Sequence, residues 1–308
     1  MIGTIVVALI PIVLLIGLGY AMKQRQFLAD SFWPGAERLS YFILLPALFV
    51  HGLATADLAG IPIWGMVAAL IGSTVLAALV LIALNRFIAP NGPAFTSVFQ
   101  GGVRFNNYVG ITAAVGLIGA HAVPLAAVAN AAVVPTVNVL CVIVFAHYGS
   151  AKPTVHGILR GIALNPLVIG CVIGIVLQVT QIGLPPGIEG CVKALGHASL
   201  PLGLLCVGAA LDWKALGRGL TSTVWASTAK FVLMPLATAV ICLWLGLDRE
   251  AIIVAVLFQS LPTASSAYVM ARQLGGDAEL MAGIVAFQTV IAIIAVPATL
   301  LLLNSQLQ

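Results

Sequence analysis

Charge is what this chain has least of. Only 13 Lys and Arg and 9 Asp and Glu occur in 308 residues, 7% of the total, against 61% hydrophobic residues and a mean hydropathy of +1.15. That leaves too little polar surface for a protein wetted on every side, so a soluble globular protein is excluded. Cysteine is scarce too. Cys141, Cys171, Cys191, Cys206 and Cys242 are odd in number and show no CxxC or Cys/His ligand spacing. A disulfide framework and a Cys/His metal site are thereby disfavoured, and the five read as small apolar packing residues. The first apolar segment lacks a basic leader and an Ala-x-Ala cleavage site, so it reads as a retained span and not a signal peptide.

What the chain has instead is long uncharged runs, among them 1–22, 58–85, 105–151 and 280–308. A membrane-spanning helix needs about 20 apolar residues, and backbone in lipid must satisfy its own hydrogen bonds, so these runs are helices. The run 105–151 must hold more than one, with Gly116–His121 as the break. Ten spans result, near 4–22, 36–54, 61–85, 94–118, 122–147, 158–181, 190–211, 221–246, 251–273 and 279–303. Lys23, Arg25, Arg38, Arg86, Lys152, Arg160, Lys214, Arg218 and Arg272 fall on one side of these spans, and Lys193 and Arg249 on the other. Basic residues stay cytoplasmic, so both termini are placed outside the cell membrane. The net charge of +4 then reflects orientation in lipid, with no nucleic-acid partner called for.

Two segments about 160 positions apart spell a similar interrupted helix: Val98–Val109 and Val256–Val269. Each begins with a Phe-Gln pair (Phe99-Gln100, Phe258-Gln259), places breakers mid-span (Gly101-Gly102, Pro262) and ends in Tyr-Val. Leu44-Leu45-Pro46 and Ser199-Leu200-Pro201 match similarly. The chain therefore divides into a first repeat (1–147), a cytoplasmic linker (148–157) and a second repeat (158–308). Five spans in each half enter the membrane with opposite orientation. The fold class is all-α integral membrane: ten transmembrane helices in a 5+5 inverted-topology repeat, with broken, crossing helices 4 and 9. Paired interrupted segments of this kind point to a transporter's binding site.

Half-helix ends at such breaks carry partial charges that suit ions. Arg104 adds a guanidinium at depth, which is costly unless it meets a carboxylate, carbonyls or water, and which grips a carboxylate with two parallel bonds. Snorkelling to the inner face, or pairing with Asp212, is the competing reading. Asn106 and Asn107 offer amide donors and acceptors, or interhelical bonds. Across the other break, Gln259, Thr263, Ser265 and Ser266 are neutral polar groups, although Ser and Thr also bond carbonyls one turn back. The substrate-binding set is Gln100, Gly101, Gly102, Arg104, Asn106, Asn107, Tyr108, Gln259, Pro262, Thr263, Ser265 and Ser266. Lys230, a second ionisable group at depth, either exchanges protons or is a fixed charge. Asn138 and Gln288 either line the path or pack. His51 reads as a satisfied histidine.

Arg104-Phe-Asn-Asn-Tyr-Val-Gly110, Asn165-Pro166-Leu167, Gly208-Ala-Ala-Leu211, Lys230 with Met234-Pro235, and the run Leu261 to Asp277 together resemble bacterial members of the auxin efflux carrier family. The resemblance covers essentially the whole chain. It implies the ten-span fold shared with bile-acid sodium symporters, with substrate at Arg104–Tyr108 and Pro262–Ser266. Plant relatives export auxin, an aromatic carboxylate, and bacterial ones are associated with malate or malonate. Where the plant carriers have proline at both crossover helices, span four here has Gly101-Gly102.

The reading is a secondary transporter of small organic anions working by alternating access in the cell inner membrane. A gated anion channel is the first alternative, and an intramembrane enzyme is the weaker one. No catalytic residue, metal site or cofactor is expected. Spans four and nine carry no Asp or Glu for sodium, so sodium coupling, proton coupling and uniport all stay open. Membrane lipid is a partner, and a homodimer follows by analogy with relatives alone.

Overall fold

The computed structural model describes residues 2–56, 62–149, 163–215, 217 and 219–306. Among these every regular element is helical. In chain order they are α1 (Ile2–Gln24), α2 (Phe32–Ala54), α3 (Ile63–Ala83), α4 (Gly92–Val103), α5 (Asn107–Ile118), α6 (Ala122–Tyr148) and α7 (Pro166–Val179), then α8 (Ile188–Ala209), α9 (Leu220–Trp244), α10 (Arg249–Gln259), α11 (Ser266–Leu274) and α12 (Ala278–Gln306). Short turns occupy Asn85–Ile88 and Trp213–Ala215. Most of the linker, Lys152, His156, Arg160, Arg218 and the start of the sixth expected span lie outside the described residues.

Seven helices, α1, α2, α3, α6, α8, α9 and α12, are long and apolar enough to cross a membrane. The chain is a multi-pass membrane protein. Two of the three remaining expected spans fall short for a structural reason, and the sixth begins outside the described residues. The fourth divides into α4 and α5, the ninth into α10 and α11, and only Pro166–Val179 of the sixth is described as helix. The turn between α5 and α6 falls where the sequence puts it, at Gly119, whose φ of +84° favours glycine.

Both α2 and α9 contain a π-helical turn, Ser40–Leu44 and Ala229–Leu233, each just ahead of a proline, Pro46 and Pro235. A proline ring clashes with the carbonyl four residues back. The wider turn relieves that clash without ending the helix.

The chain forms two compact units, each drawing on both halves of the sequence. Unit 1 comprises Met1–Ile61, Asn107–Ala131 and Gly161–Ala210; unit 2 comprises Pro62–Asn106, Ala132–Arg160 and Leu211–Gln308.

Inside unit 1, α1 lies directly on α8, and α2 packs on both α7 and α8. Glycines permit this closeness: a Cβ on Gly208 would overlap the carbonyl of Ile16, and one on Gly19 the carbonyl of Leu205. With lipid as apolar as leucine, close backbone packing drives helix association in a membrane. Gly208→Val is therefore expected to destabilise by about 1–3 kcal/mol or more, the cost of overpacking. Thermal unfolding in detergent checks this. An unchanged midpoint would mean that α1 and α8 part at no cost.

Candidate functional site

Within unit 2 the site begins with two helices that stop early. α4 starts at Asn91, whose side chain accepts from the Ala94 amide at 2.9 Å, with Pro93 in its first turn. It ends at Val103, and Arg104 takes an extended conformation (φ −76°, ψ 159°). α10 starts at Asp248, which caps the Ala251 amide at 2.9 Å, and ends at Gln259. Pro262 follows; it lacks an N–H and biases Leu261 away from helical geometry. Helix resumes at Ser266 and closes at Gly275 with a left-handed φ of 74°.

The second break thus lies at the expected proline, but the first lies elsewhere. The sequence suggests Gly101-Gly102, whereas α4 runs through both glycines and the non-helical stretch is Arg104–Asn106. The glycines serve packing: a Cβ on Gly101 would lie 2.6 Å from Ile284 Cγ2, and one on Gly102 2.7 Å from Leu81 Cδ1.

The two breaks meet. The Arg104 guanidinium donates to Asn138 Oδ1 at 3.0 Å through Nη1 and reaches Ser266 Oγ at 3.5 Å through Nη2, with Met270 Sδ 3.5 Å from Nη1. Phe105 of the first break stacks edge-on against Phe258 at 5.7 Å. Among the described residues every partner of Arg104 is uncharged, the Cys141 thiol included. Among the described residues the alternative pairing with Asp212 is not formed; that carboxylate accepts from the Lys214 amide. Nε of Arg104 is buried without a partner among the described residues. A half-buried guanidinium held by a neutral amide keeps its charge available to an anion.

At the far ends of the same helices, Ser97 Oγ donates to the Asp277 carbonyl at 2.8 Å, and the Asp277 amide donates to the Pro93 carbonyl at 3.1 Å. α4 and α11 are therefore tied at both ends.

The other expected residues divide by role. Thr263 is fully buried; its amide donates to Gln288 Oε1 at 3.0 Å, while its hydroxyl has no partner among the described residues. Gln288, equally buried, also donates to the Gly101 carbonyl at 3.0 Å. Gln259 turns to α3, donating to the Leu70 carbonyl, Ser73 Oγ and Thr74 Oγ1 at 2.9–3.1 Å, and its Oε1 is unpartnered among the described residues. Gln100 Nε2 sits 3.9 Å from Met281 Sδ. Asn106 is buried, and both it and Ser265 are engaged. Lys230, in the π turn of α9, is fully buried with no partner for Nζ among the described residues.

Asn107 and Tyr108 open α5 in unit 1. The Asn107 amide oxygen is unpartnered among the described residues, and the Tyr108 ring fills the space that a Cβ on Gly203 would need. His51 Nε2 lies 3.7 Å from Glu189.

Sequence reasoning missed Met270, the Phe105–Phe258 pair and the Ser73-Thr74 acceptors. Ser73-Thr74 had a legible signal, two adjacent hydroxyls inside an uncharged run. Both hydroxyls also donate to the Leu70 carbonyl, so that carbonyl and the Gln259 amide gather on one turn of α3.

A family model described as membrane transport protein matches residues 4–300. A Rhizobium meliloti (strain 1021) protein named "Putative malonate transporter" is 26% identical over 280 residues, 86% of this chain and 85% of that one. A Methanothermobacter thermautotrophicus protein named "Uncharacterized transporter" is 21% identical, over 94% of this chain and 95% of its own. An Oryza sativa subsp. japonica protein named "Probable auxin efflux carrier component 5b" is 30% identical over 146 residues, 46% of this chain and 40% of that one.

Proposed function

The chain belongs to the membrane transport protein family, that of the auxin efflux carriers, and on that premise we propose that it is a secondary carrier of small carboxylates. It is a transport protein and not an enzyme. The observation that carries the proposal is Arg104. It stands between two broken helices with only uncharged partners, so its charge is free to meet an anion. Asn138 steadies the guanidinium, and Ser266, at the start of α11, brings the positive end of a helix dipole to the same place. Thr263 and Ser265, three residues and one residue before Ser266, supply further neutral hydroxyls in the second break. The relative named for malonate makes short dicarboxylates the first candidates.

In this reading the chain has ten spans in a 5+5 inverted repeat. It lies in the cell inner membrane with both termini extracytoplasmic. It works by alternating access, opening the Arg104 site to one side and then the other. Homodimerisation is part of the same proposal and rests on analogy alone. Coupling to protons or sodium is a further element of it, with Lys230 as the group that would carry a proton.

Uptake of labelled malonate, malate and indole-3-acetate into proteoliposomes tests the function. Saturable flux with counterflow is expected for at least one of them. Absence of saturable flux for all three would overturn the reading, and non-saturating flux would mean a channel.

A further inference from the structure

Gln288 satisfies backbone groups at both breaks at once. A helix end leaves its last carbonyls without intrahelical partners, and an interrupted segment leaves amides unpaired; within a membrane each such group costs free energy unless something bonds it. The Gly101 carbonyl lies in the last turn of α4 and would ordinarily accept from residue 105, which has left the helix. The Thr263 amide lies in the non-helical stretch before α11. Gln288, on the continuous helix α12, donates to the first and accepts from the second, both at 3.0 Å. A primary amide side chain donates from its nitrogen and accepts at its oxygen while uncharged, so it can span two backbone groups of opposite kind. Glutamate would lose the donor and bury a charge, and an apolar side chain would leave both backbone groups bare.

Gly101 is three residues before Arg104, and Thr263 is three before Ser266. Holding both backbone atoms therefore fixes the spacing of the guanidinium and the start of α11. We propose that Gln288 is a positioning residue for the anion site, acting through the backbone of both breaks and not by touching the substrate. This rests on the carboxylate reading above, and its test is arranged to separate the two.

Gln288→Met keeps the side-chain length and removes both bonds. The first readout needs no substrate: hydrogen–deuterium exchange in detergent. Exchange over 261–266 is expected to rise about 10-fold, the worth of one lost hydrogen bond of ~1.4 kcal/mol. Peptides from α3 should exchange as before. The second readout is malonate uptake, with KM raised about 10-fold and turnover per inserted protein within about 2-fold. In a double-variant cycle with Arg104→Lys, the two KM effects should combine to less than their product, because both act on one group. Unchanged exchange over 261–266 would overturn the proposal. So would lowered turnover at an unchanged KM, or fully multiplicative effects. Faster exchange in a protein whose parent transports no carboxylate would leave Gln288 bridging the breaks and defeat the function reading instead.

Discussion

Arg104→Ala is expected to abolish saturable carboxylate uptake while the protein still inserts and purifies as a single species. The guanidinium is a fixed positive charge placed among the uncharged groups of the two breaks, bonded to Asn138 at 3.0 Å and reaching Ser266 and Met270 at 3.5 Å. Removing one partner of a buried charge-assisted pair costs about 2–4 kcal/mol, or roughly 30- to 700-fold in affinity. The fold should survive, because the contribution of Arg104 to α4 is its backbone amide, which closes the last turn on the Gln100 carbonyl at 2.8 Å, a bond that alanine retains.

Arg104→Lys separates charge from shape. Lysine keeps the positive charge but presents a point instead of a planar fork, so it cannot hold Asn138 and grip a carboxylate along two parallel bonds together. A loss of about 10-fold is expected, between parent and alanine variant. Equilibrium binding of malonate, read as a thermal shift across a concentration series, measures both variants without relying on transport. If both bind as the parent does, the anion lies elsewhere and Arg104 is a structural bond to Asn138.

The helical plan was legible because it is local. Uncharged runs, capping Asn91 and Asp248, and Pro262 each leave a mark within a few residues of the feature they create. Nine of the ten expected spans coincide with helices or helix pairs to within a few positions, and the sixth is described as helix over Pro166–Val179. The position of the first break was not legible, since glycines that end a helix and glycines that admit a neighbour look alike in sequence. Only the approach of Ile284 and Leu81 distinguishes them. The role of Gln288 was hidden for a related reason. Its partners are 25 and 187 positions away, and nothing in α12 itself separates a bridging amide from one that faces a cavity. The π turns in α2 and α9 carry no compositional sign beyond the proline that follows each.

Lys230→Met should raise thermal stability, the opposite of what most core substitutions do. The lysine is fully buried in unit 2, and its amine has no hydrogen-bond partner among the described residues. A buried polar group left unbonded costs about 1–3 kcal/mol, which an isosteric thioether would not incur. The elements packed on its π turn offer little relief: α3 and α4 carry no charged residue, and α12 carries only Glu279, in its first turn. A buried amine carried at such a cost is a candidate for a role in transport. The methionine variant is therefore expected to gain several degrees in its unfolding midpoint and to lose coupled uptake. It should keep malonate binding, since Lys230 is not among the partners of Arg104. A rise in midpoint with uptake and its pH profile unaltered would remove Lys230 from the mechanism. A fall in midpoint would mean that the amine is bonded in the membrane after all.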